Sequence, residues 1–185
     1  LDGEKRIIGS FAGDMEEAHH VGCEFVRGLA HVKKIPCDIA VSTNGGFPLD
    51  QNIYQAVKGM TAAEATNKEG GVIIMVAGCR DGHGGSGFYH NLADYNHPKE
   101  FLEKAINTPR LETIPDQWTA QILARILVHH RVIFVSDLVD PTLITDMHME
   151  IAKTFDEALA RAFEIEGPDA KVTVIRDGLS VIVED

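Results

Sequence analysis

Four short apolar runs, rich in β-branched residues and separated by helix-patterned sequence, constrain this chain more than any other feature. They are Asp38 to Ser42, Val72 to Val76, Val132 to Val135 and Val172 to Ile175. Each suits one buried strand and is too short for a buried helix. A helical pattern from Gln51 to Lys68 joins the first two, and "GFYHNLADY", "HPKEFLEKAI" and "DQWTAQILARIL" lie between the second and third. "TFDEALARAFEIEG" then leads into the fourth. Strands buried on both faces and alternating with helices predict an α/β fold: a mostly parallel sheet with helices on both faces, a Rossmann-like layered domain.

The two ends depart from this alternation. Residues 5–28 read as a short strand, "RIIGSF", and one helix, "DMEEAHHVGCEFVRGL", before Pro36 marks a boundary. Beyond Gly178 a last apolar piece, "LSVIV", closes the chain. There is no initiator Met, and the opening "LDGEKRIIGSFAGD" reads as the interior of a fold, so a piece of a longer protein is expected. The predicted division is 1–35 as the end of an upstream domain with its linker, 36–176 as the α/β domain, and 177–185 as a terminal strand returning toward the upstream domain.

Several function classes are disfavoured at once. Seventeen basic residues are interleaved with 28 acidic ones, giving a net charge of −11 and no basic stripe, so no nucleic-acid partner is expected. No apolar run is long enough to span a bilayer as a helix, and no membrane partner is expected. Cys23, Cys37 and Cys79 are odd in number and widely spaced, which fits neither a disulfide framework nor a zinc knuckle and points to a reducing cytoplasm. Among the nine histidines, the adjacent pairs His19-His20 and His129-His130 cannot both face one site from a regular helix, and no H-E-x-x-H occurs. No metal site is predicted.

In a parallel sheet, ligands bind beyond the carboxyl ends of the strands. Three loops there have unusual composition: "TNGGFPLD", "GCRDGHGGSG" and "SDLVDP". Asn44, Gly45, Gly46 and His83 are therefore candidates for lining a crevice. Gly82 to Gly87 formally match G-x-G-x-x-G, but the second strand and acidic residue of a dinucleotide fingerprint do not follow, and the Lys-Ser/Thr of a Walker loop is missing. The spacing alone is weak support for a nucleotide phosphate.

The stretch "GGFPLDQNIYQAVKG" carries more information. Asp50 is the expected N-cap of a helix from Gln51 to Lys58, with Ile53, Ala56, Val57 and Met60 as its buried stripe. Gln51, Gln55 and Lys58 align on the opposite side, with Tyr54 one turn before Lys58. Gly59 weakens a helix, and Thr61 with Glu64 forms a second capping signature, so a break or bend after Lys58 is expected. Two readings of the polar side stand: a solvated helix face, or a small-acid site in which an ammonium, an amide and a phenol hold a carboxylate and a hydroxyl. Trp118 likewise reads either as a packing aromatic at the start of a helix or as the wall of a site.

The block "DIAVSTNGGFPLDQNIYQAVKGMTAAEATNKEGGVIIMVAGCRDGHGG" resembles the C-terminal part of the nickel-dependent lactate racemase family. Strand, Asn-Gly-Gly loop, Tyr-Gln-x-x-x-Lys helix, second strand and Asp-Gly-His-Gly-Gly loop follow in that family's order, and the pattern extends through Trp118 to the terminus. The resemblance implies an upstream N-terminal domain holding a nickel-pincer nucleotide, a pyridinium mononucleotide with sulfur arms that is attached to a lysine. It implies a 2-hydroxy acid as substrate, racemised by hydride removal from C2 and return to either face. Tyr54, Gln55, Lys58 and Trp118 would be the substrate contacts, while the catalytic histidines belong upstream, so no catalytic residue is expected in this chain. The chain alone is expected to be inactive and to bind no nickel tightly. Two alternatives remain: another 2-hydroxy-acid racemase or epimerase with the same cofactor, and a non-catalytic α/β module that binds a small acid or phosphate.

Overall fold

The computed structural model describes every residue from Leu1 to Asp185. Five parallel strands make the main sheet: β2 (Cys37–Thr43), β3 (Asn67–Val76), β4 (Arg131–Val135), β5 (Glu150–Ala152) and β6 (Val172–Ile175), in spatial order β5-β4-β3-β2-β6. The four apolar runs all lie within this sheet, and β5 is the strand that sequence pattern did not single out. Its three residues give too short a run to recognise.

Strand side chains alternate between faces, so one sequence feeds two cores. Ala40, Ile73, Met75, Val132 and Phe134 face a layer built from α2 (Ile53–Thr66), α3 (Ser86–Ala93), α4 (Pro98–Asn107), α5 (Gln117–His129) and α6 (Pro141–Asp146). Ile39, Val41, Val72, Ile74, Ile133 and Val135 face the single helix α7 (Phe155–Glu166) through Ala158 and Ala162. Both faces are covered over the central strands, but β6, expected to be buried, is an edge strand beyond the reach of α7 and leaves Val172 and Val174 exposed.

The ends behave otherwise. Residues 6–11, "RIIGSF", form no strand: no neighbouring strand is available to pair their backbone groups, and a lone strand has nowhere to place them. Helix α1 (Met15–Ala30) is well started, with the Asp14 carboxylate accepting from the amides of Glu16 and Glu17 at 3.0 and 3.1 Å. It nevertheless buries none of its residues, leaving Met15, Val21, Phe25, Val26 and Leu29 exposed. After it, β1 (His31–Lys33) pairs in parallel with β7 (Ile182–Glu184) as a two-stranded sheet of its own. The tail is not free of the main domain, however. Gly178 N–H donates to Thr43 O at 2.8 Å, and the Thr43 hydroxyl donates to Arg176 O, which ties the chain after β6 to the end of β2. No helix is long and apolar enough to cross a membrane.

Candidate functional site

Helix α2 presents the polar side chains, and its first turn shows how they are fixed. Asp50 is not its N-cap: that carboxylate accepts from Gly78 N–H at 2.8 Å, and Asn52 caps the helix instead, its Oδ1 accepting from Gln55 N–H at 3.0 Å. The amides of Ile53 and Tyr54 donate to the carbonyls of Gly82 and His83 at 3.0 and 3.2 Å. Asp-Gly-His-Gly-Gly is thus the seat of α2, which accounts for both motifs occurring together. Ile53, Ala56, Val57 and Met60 form the buried stripe, all at 1% exposure or less.

The helix does not break after Lys58 but continues to Thr66. Gly59 serves close packing instead. A Cβ there would collide with Asn44 Oδ1 and stand 3.0 Å from Thr43 O and 3.1 Å from Met75 Cε. Helix propensity reports the local cost of a glycine, whereas this residue answers to a neighbour fifteen positions earlier.

Three aromatic rings run outward from the core beside this helix. Phe88 of α3 is fully buried, Tyr54 is half-buried and Trp118, on the first turn of α5, is 54% exposed. Tyr54 meets Phe88 edge-on at 5.4 Å between centroids and Trp118 edge-on at 5.8 Å. The Tyr54 hydroxyl makes no hydrogen bond within the chain, so its polar end is available. Phe88 escaped the sequence reading because an aromatic on a short helix carries no mark of what it supports. One turn along α2, Lys58 Nζ donates to Gln55 Oε1 at 2.6 Å. No carboxylate pairs with Lys58; on the same helix, Glu64 is engaged by Arg125. Lys58, partly buried and with one neutral acceptor for its ammonium, stands one helical turn from Tyr54 and its free phenol, groups of a kind that can receive an anion.

The other candidates fall elsewhere. Asn44 lines no crevice: it is 0% exposed, and its Nδ2 donates to Leu49 O and Gln55 O. Gly45 and Gly46 turn the chain at φ +75° and +87°, conformations that favour glycine, and Gly45 lies under the Asp177 carboxylate. His83 is built into its own loop, its Nδ1 accepting from Gly85 N–H at 3.0 Å and its ring stacked on Tyr89 at 5.3 Å. The Tyr89 hydroxyl donates to Asp146 Oδ2 at 2.6 Å, and that bond raises its pKa. The expected crevice does exist, about 530 Å³ beyond β2 to β5, bordered by Thr43, Gly46, Asp50, Gly78, Ser136 and Lys153. Tyr54, Gln55, Lys58 and Trp118 are not on its lining, so the polar helix face and the strand-end crevice are separate places.

At the formal G-x-G-x-x-G, Asp116 Oδ2 stands 2.9 Å from where a Cβ on Gly85 would be, so a carboxylate occupies the start of α3 where a phosphate would need to sit. Cys79 is buried, and burial pushes its thiol up to about 12, which removes it as a nucleophile near neutrality.

Residues 32–183 match the family described as the lactate racemase C-terminal domain. The chain belongs to that family. It is 78% identical over 184 residues to a lactate racemase of Lactiplantibacillus plantarum and 51% identical over 185 residues to one from Thermoanaerobacterium thermosaccharolyticum. In each case it is covered completely yet spans only 43% of the relative's length. The lactate racemase apoprotein structure from T. thermosaccharolyticum superposes with a TM-score of 0.94, over 100% of this chain and 44% of that one. A Thermotoga maritima protein of 14% identity shares the fold, with a TM-score of 0.56 over 91% of this chain and 42% of the other.

Proposed function

We propose that these residues are the substrate-closing domain of a racemase that interconverts D and L forms of a 2-hydroxy acid of the lactate type. The observation that carries this reading is Lys58: a half-buried ammonium whose one acceptor is the neutral Gln55 Oε1, with no carboxylate in ion-pair reach. A monocarboxylate would complete it. The charge-assisted contact fixes the carboxylate end, Gln55 and the Tyr54 hydroxyl offer hydrogen bonds to it or to the 2-hydroxyl, and Trp118 would exclude water once another domain covers this face.

The residues present do not make a nickel site. No three His, Cys, Asp or Glu side chains come together as a ligand set, and His90 and His129 are paired with Asp94 and Glu69 at the surface. In this reading the nickel-pincer nucleotide, the hydride chemistry and the acid–base histidines lie in an upstream N-terminal domain. Helix α1 with the β1–β7 pair would belong to the interface with that domain, since α1 buries nothing within the chain. Three free thiols fit a reducing cytoplasm.

The test is stereochemical. The complete, cofactor-loaded protein given L-lactate should bring it to an equal mixture with D-lactate, followed by a stereospecific assay. A protein that binds lactate and leaves its configuration unchanged would replace the racemase with a binding module.

A further inference from the structure

Gln55 is held from three directions. Its backbone N–H donates to Asn52 Oδ1 at 3.0 Å, its backbone carbonyl accepts from Asn44 Nδ2 at 2.6 Å, and its side-chain Oε1 accepts from Lys58 Nζ at 2.6 Å. The two asparagines are buried, at 8% and 0% exposure. Asn44 has only one workable orientation. Its Nδ2 faces two carbonyls, of Leu49 and Gln55, and a flipped amide would set oxygen against oxygen at both. Its Oδ1 finds no hydrogen-bond partner and lies against Gly59.

That cost and Gly59 explain each other. Within a helix the carbonyl of Gln55 ordinarily faces only the amide one turn on, at position 59, and a side chain there would close the approach from the sheet. Because residue 59 has no Cβ, the amide of Asn44 reaches from just beyond β2 to a carbonyl already inside α2. One donor group thus ties both the Leu49 carbonyl of the loop after β2 and the Gln55 carbonyl of the helix, at the cost of an orphaned Oδ1.

We propose that Asn44 is a positioning residue: it fixes the backbone of Gln55, and through the Gln55 side chain the Lys58 ammonium, with Gly59 as the clearance that makes this contact available. This rests on the reading in which Lys58 receives the substrate carboxylate. The chain of contacts sets the ammonium from the rigid end of the sheet rather than leaving it to a flexible four-carbon stem.

A double-mutant cycle in the complete, cofactor-loaded protein tests it, comparing wild type, Asn44→Ala, Lys58→Ala and the double variant by kcat/KM for lactate and by thermal unfolding. With Lys58 present, Asn44→Ala should lower kcat/KM about tenfold; with Lys58→Ala it should lower it less than about twofold, because the group being positioned is gone. Gly59→Ala, which leaves Asn44 in place but takes its space, should show the same dependence on Lys58 and supplies the measurement if Asn44→Ala does not fold. Equal losses in both backgrounds would make Asn44 a stability residue only and overturn the positioning role. An unchanged kcat/KM in Lys58→Ala would overturn the carboxylate reading itself, and this proposal with it.

Discussion

Replacing Lys58 by alanine separates a binding role from a structural one, because the structure makes the two effects very unequal. For folding, the variant loses one hydrogen bond to Gln55 Oε1 and part of a half-buried stem; no ion pair breaks, and the Thr61 hydroxyl bond at 2.7 Å goes to the Lys58 backbone carbonyl, which remains. Alanine is also the better helix former, so the net loss of stability should stay below about 1 kcal/mol. For catalysis, a desolvated charge-assisted contact to the substrate carboxylate would be lost, costing ~2–4 kcal/mol, or roughly 30- to 1000-fold in kcat/KM. Gln55→Ala removes a neutral hydrogen bond and should cost about 0.5–1.5 kcal/mol, a few-fold to roughly tenfold. Lys58→Arg keeps the charge but spreads it over a planar fork, so it should fall between wild type and Lys58→Ala. The assay is kcat/KM for lactate in the complete, cofactor-loaded protein, with thermal unfolding as control. A Lys58→Ala protein that folds normally and keeps activity within about threefold of wild type would show the carboxylate to be held elsewhere, leaving this side of α2 a solvated helix face.

Trp118→Ala should be mild for stability, since the ring is 54% exposed, yet lower kcat/KM about tenfold by opening the pocket wall; unchanged kinetics would make the ring a border aromatic only. His130 has its pKa lowered from 6.5, chiefly by burial, so the folded state favours neutral imidazole. Stability tied to it is present above the unfolded value and is lost as pH falls through the folded one, so His130→Gln should flatten the decline in unfolding midpoint below pH 6.5; an identical acid limb would refute this.

Four of the five sheet strands were readable because parallel strands show as short β-branched runs, and the α2 stripe was readable because four apolar positions recur at helical spacing. What stayed hidden depends on residues distant in sequence. Asp50 and Asn52 are equally good caps by composition, and only the Gly78 amide decides between them by taking the Asp50 carboxylate. Gly59 looks like a helix breaker until Asn44 is placed against it. The strand expected at residues 6–11 fails for the opposite reason: its pattern is suitable, but nothing in the chain pairs with it. For Tyr54, Gln55, Lys58 and Trp118 only the resemblance favoured a site over packing or a solvated face, since their spacing fits both. The geometry adds the missing counterion at Lys58 and the edge-on ring contact across two helices.

These residues form one wall, and the energetics of an open wall differ from those of a closed site. Two unit charges 4 Å apart attract by about 1 kcal/mol in water but by about 4 kcal/mol at an effective dielectric constant of 20. Lys58, only partly buried, is nearer the first case as it stands, so it gains most of its hold on a carboxylate only when another body covers it. The net charge of −11 acts in the same direction, because it repels an approaching carboxylate at long range and leaves the contact to short-range forces. Under the proposed function, covering the wall and binding the acid would then be a single event, because the ammonium would hold the carboxylate end tightly only while the site is shut.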